Sequence, residues 1–150
     1  ENKLRVIKSN FFNPELTLSK GNYTKLKPTK LDLENIRIGI SSLKKINSYN
    51  HVQGLIIRNK KIIVWETKKG TKKMIQSIKK DKKHSGILIK FPKKKQDIRA
   101  DLPTIGLETL KDCSKSGVNG IVLKSKQNIF LDRNKSINYA NKKKIFIKVV

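Results

Sequence analysis

At 150 residues the chain is long enough for one compact domain that buries roughly two thirds of its unfolded surface, and no apolar run approaches the ~20 residues a membrane-spanning helix needs. A net charge of +25, from 36 lysines and arginines against 11 acidic residues, would ordinarily point to a polyanion or an anionic surface. However, only Arg5, Arg37, Arg58, Arg99 and Arg133 are arginine, the lysines are spread along the chain, and Lys, Ile and Asn share A/T-rich codons, so base composition can create the excess and is favoured over a nucleic-acid partner.

The chain begins at Glu1 and reads as a piece of a longer protein, with residues 1–31 an entry or linker segment from a missing N-terminal domain and 32–150 an α/β domain. Phe11, Phe12 and Pro14 fit an extended entry. Leu33, Ile36, Ile40, Leu43 and Ile46 recur at helical spacing, with Asp32 and Glu34 first and Lys44 and Lys45 last, as the helix dipole favours. A helix over Asp32–Ile46 follows. Leu55–Ile57 and Ile62–Trp65 are β-branched runs joined by Arg58-Asn59-Lys60-Lys61, a hairpin. Thr71 is expected to cap a helix through Met74, Ile75 and Ile78, and Gly86–Phe91 to form a buried strand. Pro103 and Thr104 are expected to restart the chain into a helix with Leu107 and Leu110 inward and Gly117 as its stop. Cys113, the only cysteine, reads as packing in that helix and fits a reducing cytoplasm. Gly120–Leu123 and Ile129–Leu131 are short strands, Asp132 caps a helix through Ile137 and Ala140, and Ile145–Val150 closes as a strand. Alternating strands and helices give a single α/β domain, a mixed β-sheet covered by helices.

Several chemistries are absent from the pattern. There is no Gly-x-Ser-x-Gly and no Walker loop. His51 and His84 lack a ligand at zinc spacing, Trp65 reads as core, and no RNA-binding aromatic cluster accompanies the lysines.

The most informative stretch runs from Lys90 to Gly106, after a strand and before a helix, where open α/β sheets place ligands. Carboxylates are scarce, yet Asp97 and Asp101 fall here with Arg99 between them. Two carboxylates can hold Mg²⁺ through oxygen while a guanidinium grips phosphate oxygens; equally, a solvated loop can carry acids that merely offset lysines.

The run Gln96-Asp97-x-Arg99-x-Asp101-x-Pro103-Thr104-Ile105-Gly106 resembles the signature of LpxI-type UDP-2,3-diacylglucosamine pyrophosphatases. The resemblance extends along the chain. Asp32 to Gly39 is similar to the family's Asp-x-x-Asp-Ile-x-x-Gly, with Asn35 for the second Asp, and Val52-Gln53 to its Asp-Val-Gly-Gln-x-Val, with Asn50 where Asp is usual. Gly117 to Asp132 resembles its Gly-x-x-Gly-Ile and Leu-Asp-Arg elements. One segment departs: where the family carries Glu-x-x-Glu-Gly-Thr-Asp, this chain keeps Glu66, Gly70 and Thr71 but has Lys69 and Lys72 for the later acids.

The resemblance implies the catalytic half of a two-domain, Mg²⁺-dependent hydrolase of lipid A biosynthesis that converts UDP-2,3-diacylglucosamine to UMP and 2,3-diacylglucosamine 1-phosphate. It implies Asp97, Asp101, Arg99 and Glu66 as catalytic, with Asp97 and Asp101 on the metal, and Lys90, Lys93, Gln96, Thr104, Gln53 and Thr71 on the substrate. The implied partners are the nucleotide-sugar lipid and the cytoplasmic face of the inner membrane, without nucleic acid; dimerisation stays open. The alternatives are a non-catalytic basic nucleic-acid-binding module and a diverged, inactive family member.

Overall fold

The computed structural model describes residues 7, 11–46, 52–93, 97, 99 and 101–150. Asn50, His51 and Gln96 lie outside them.

A six-stranded mixed sheet has the order β1-β8-β6-β4-β2-β3, built from β1 (Gly21–Asn22), β2 (Gly54–Arg58), β3 (Lys61–Trp65), β4 (Gly86–Lys90), β6 (Val118–Leu123) and β8 (Phe146–Val149). A second, two-stranded sheet pairs β5 (Thr104–Ile105) with β7 (Ile129–Phe130) in parallel. Strand β2 is antiparallel to both β3 and β4, so β3 and β4 point the same way, and β4, β6 and β8 are mutually parallel. The connections β3 to β4, β4 to β6 and β6 to β8 all progress in one direction across the sheet. A single crossover hand therefore puts helices α2 (Gly70–Gln76), α3 (Leu107–Ser116) and α4 (Arg133–Lys142) on one face. Met74, Ile75, Leu110, Cys113 and Ala140 pack there over Ile56, Leu88, Ile121 and Ile147. Helix α1 (Lys30–Lys45) covers the opposite face, with Ile36 against Leu55, Ile57, Ile87 and Ile89. Strands β2 and β4 are buried along their whole length, which is why their sequences are apolar without alternation.

The hairpin turn is two residues, Asn59 and Lys60, both with positive φ (44° and 64°), the left-handed pair that matches strand twist. Helix α1 starts at Lys30, earlier than the periodicity indicates, because Thr29 and Asp32 form a reciprocal capping box. Two expected helix starts, at Thr71 and Thr104, are corrected, and a third, at Asp132, holds its position with different bonding. Thr71 lies inside α2, whose N-cap position is Lys69, because the Thr71 hydroxyl donates to Glu66 Oε1 instead. Thr104 opens no helix; it pairs with Ile129 in β5, and Gly106 holds the N-cap position of α3. Asp132 stands before α4 in a left-handed conformation (φ 48°), where its carbonyl, not its side chain, accepts from the Ser136 N–H. Gly117 ends α3 at φ 74°, as read from the sequence.

Residues 17–24, within the stretch read as an entry segment, join the domain: Leu18 is buried, β1 pairs antiparallel with β8, and Thr24 Oγ1 accepts from the Ile147 N–H at 2.9 Å. Among the described residues no helix is long and apolar enough to cross a membrane.

Candidate functional site

The parallel register aligns the carboxyl ends of β3, β4, β6 and β8 along one edge, with Lys90 opposite Leu123 and Leu123 opposite Val149. Chain leaving β3 there supplies Glu66, whose N–H donates to the Gly54 carbonyl at 2.8 Å. Chain leaving β4 supplies the stretch that contains Asp97 and Asp101. Ligands in open α/β sheets gather at such edges, where connecting loops converge.

Glu66 and Lys90 are each 4% exposed, and their ion pair spans 3.1 Å from Nζ to Oε1 and 3.4 Å to Oε2. Thr71 completes the group: its hydroxyl donates to Glu66 Oε1 and accepts from Lys90 Nζ. Burial pushes the Lys90 ammonium below its ordinary pKa, the Glu66 charge opposes that shift without cancelling it, and the nearby Lys93 charge adds to it. Bringing two charges out of water costs several kcal/mol per ion before their attraction offsets it. A fold that needed only stability would do as well with two apolar side chains. The Lys90 ammonium is turned inward onto Glu66 and Thr71, rather than out to a ligand.

Asn128 holds the same strand end, and sequence reading missed it. It is 2% exposed; its Nδ2 donates to the Lys90 carbonyl at 3.1 Å and its Oδ1 accepts from the Lys124 N–H at 2.8 Å, tying the ends of β4 and β6 together. The Lys90 carbonyl lies 38 residues away, so no local pattern announces that link.

Asp97, Arg99 and Asp101 are exposed. Asp97 Oδ1 accepts from the Arg99 backbone N–H at 3.0 Å and from Nε at 2.9 Å, and Oδ2 accepts from Nη2 at 2.9 Å. This fork holds the Asp97 carboxyl down at about 2 and raises the Arg99 guanidinium. The Asp101 N–H donates to the Asp97 carbonyl at 2.9 Å, closing a turn that keeps the two aspartates on one loop. Thr104 is exposed on β5, Lys93 is half-buried, and Gln53 is half-buried with its carbonyl accepting from the Phe91 N–H at 2.8 Å. The structure thus brings Glu66, Thr71 and Lys90 into direct contact and Asp97 with Arg99.

Residues 19–148 match the LpxI C-terminal domain model. The chain belongs to the LpxI C-terminal domain family. A similar relative is the UDP-2,3-diacylglucosamine pyrophosphatase LpxI of Caulobacter vibrioides, 26% identical across 89% of this chain. The chain spans about half (50%) of that relative's length.

The LpxI motifs divide by role on the fold. Asp32 belongs to the α1 cap, Asn35 accepts from the Lys60 N–H at 2.6 Å to seat the β2–β3 turn, and Ile36 is core. Gly39 lets α1 approach β4, where a Cβ would lie 2.3 Å from Ile89 Cδ1. That motif builds structure. The Glu66–Thr71 segment instead brings polar groups to the carboxyl edge.

Proposed function

We propose that this domain supplies the hydrolytic site for UDP-2,3-diacylglucosamine, releasing UMP and 2,3-diacylglucosamine 1-phosphate in lipid A biosynthesis. The observation that carries the reading is the buried Glu66–Lys90–Thr71 group at the carboxyl edge from which the aspartate-bearing loop departs. Water attacks one phosphorus of the diphosphate, the bridging P–O bond breaks, and the water proton passes to a carboxylate.

The loop suits Mg²⁺ in its donor chemistry, since that ion keeps several waters and is held through one or two carboxylates plus substrate phosphates. Asp97 and Asp101 would hold it, and when bound it neutralises diphosphate charge and polarises phosphorus. With its carboxyl near 2, Asp97 stays ionised and is a poor proton acceptor at neutral pH. We therefore assign Asp97 to charge and Asp101 to orienting water. Arg99 spends Nε–H and one Nη2–H on Asp97, leaving its other donors for phosphate oxygens. Lys90 acts through Glu66, fixing the carboxylate's orientation, while Lys93, Gln53, Gln96, Thr71 and Thr104 position substrate. A partner N-terminal domain closes over the nucleotide, and the basic surface faces an anionic cytoplasmic membrane leaflet.

Lys69 and Lys72, exposed where the family pattern has acids, favour a second reading, a diverged member that keeps the fold and loses turnover. Incubation with UDP-2,3-diacylglucosamine, with and without Mg²⁺, separates the two. Mg²⁺-dependent UMP release supports hydrolysis; its absence, with and without an N-terminal LpxI domain, supports divergence.

A further inference from the structure

The connection that carries Asp97, Arg99 and Asp101 leaves β4 at Lys90 and returns through Pro103 into β5. Consecutive residues, Asn128 and Ile129, hold its two ends. On the departing side the Asn128 side-chain amide stands between two strand ends: Nδ2 donates to the Lys90 carbonyl at 3.1 Å and Oδ1 accepts from the Lys124 N–H at 2.8 Å. On the returning side the Ile129 N–H donates to the Pro103 carbonyl at 3.0 Å, and β7 then pairs with β5. Leu102, which joins Asp101 to Pro103, is buried.

The holding segment is itself fixed. Thr17 bridges Ile129, the Lys126 N–H donates to the Leu18 carbonyl at 2.9 Å, and Leu18, Ile105 and Phe130 share one core cluster. Asn128 is 2% exposed, and a buried amide bonded through both its oxygen and its nitrogen keeps one orientation. A connection with both ends fixed samples fewer conformations than one with a loose end. We propose that Asn128 is a positioning residue for the hydrolytic site: together with Ile129 it clamps both ends of this connection and so fixes where Asp101 stands. Its part in turnover rests on the hydrolytic reading, whereas the clamp itself does not. Asn128 acts only through the loop, where a displacement of about 1 Å can cost about a hundredfold in rate.

Asn128→Asp keeps an oxygen for the Lys124 N–H but removes the donor to the Lys90 carbonyl, and Asn128→Ala removes both. Ile36→Val serves as the control, a core change in the cluster on the opposite face of the sheet. Amide hydrogen exchange of the chain reads the clamp without nucleotide or metal. In both Asn128 variants the Asp101 and Ile129 amides should exchange at least tenfold faster, with Ile121 and Val122 in β6 changed less than threefold. Ile36→Val should leave the Asp101 and Ile129 amides within threefold of wild type. Joined to an N-terminal LpxI domain, the Asn128 variants should lose at least tenfold in kcat for UMP release, and Ile36→Val less than threefold. Unchanged exchange at Asp101 would overturn the clamp. So would equal acceleration at Ile121 and Val122, or loss of cooperative unfolding in both variants, because Asn128 would then hold the whole domain and not the loop. Faster exchange with full kcat would remove Asn128 from turnover. No UMP from the joined wild-type protein would instead fail the hydrolytic reading and leave the exchange result to decide the clamp.

Discussion

Glu66 and Lys90 illustrate how a residue pair can be costly to the fold and still be kept. Removing one partner leaves the other buried and uncompensated, which typically costs 3–5 kcal/mol, whereas replacing both with apolar groups is often neutral. Glu66→Ala should therefore lower unfolding free energy by about 3–5 kcal/mol in urea titrations, and Glu66→Leu with Lys90→Met should recover most of that loss. A loss below about 1 kcal/mol for Glu66→Ala would show that the pair is not buried in solution. Asp97 tests the loop geometry separately. Its folded pKa lies below the ordinary 3.8 because Arg99 grips it, so its contribution to stability is present above that value and fades as pH falls towards about 2. Carboxyl NMR should place its midpoint near 2, and Arg99→Ala should raise it towards 3.8. A midpoint already at the ordinary value would dissolve the fork. Sequence spacing put Asp97, Arg99 and Asp101 together, but which carboxylate the guanidinium grips depends on the loop's turn.

At the scale of elements, reading from sequence worked where a pattern is long enough to carry a period. Helix α1, the β2–β3 hairpin and the buried β4 declare themselves through apolar spacing and the polar Arg58–Lys61 connection, of which the structure leaves only Asn59 and Lys60 as the turn. The short strand at Ile129–Phe130 is expected from its apolar run, but the two-residue strands β1 and β5 have no period to read, and they exist because their backbone groups meet partners far along the chain. The cap expected at Thr71 is not formed, and Asp132 holds the expected N-cap position of α4 without a side-chain bond, for a related reason. Capping propensity is local, but Thr71 found Glu66, and the backbone at Asp132 turned left-handed. Close packing is equally illegible from sequence: at Gly120 on β6, a Cβ would stand 2.1 Å from Phe146 Cζ, and Phe146 is fully buried. Gly120→Ala should therefore destabilise the protein by about 1–3 kcal/mol, the usual cost of overpacking, and Phe146→Leu added to it should recover part of the loss. Unchanged stability in the single variant would mean that the ring has room to move.

For the whole molecule, charge and fold are separable. Lys142, Lys143 and Lys144 are exposed at the end of α4 and beyond it, and replacing all three with Gln should leave thermal stability nearly unchanged, since such surface changes usually stay within about 0.5 kcal/mol each. Hydrolysis should also be unaffected. A large loss of activity would mark that run as a binding surface. If instead the chain bound nucleic acid, affinity would fall with salt at a log-log slope of about −0.9 per phosphate contacted. The mixed sheet could be read from alternating elements, but a strand order that brings Glu66 and Lys90 to one edge required the crossovers of the folded chain. The central claim, that this edge hydrolyses the diphosphate, is tested most directly by UMP release from UDP-2,3-diacylglucosamine in Mg²⁺. The chain joined to an N-terminal LpxI domain should release UMP, and Asp97→Ala and Asp101→Ala should each abolish most of it while keeping the wild-type fold, at about tenfold in rate for each 1.36 kcal/mol lost. No UMP from the joined wild-type protein, or full activity in both folded variants, would contradict the claim.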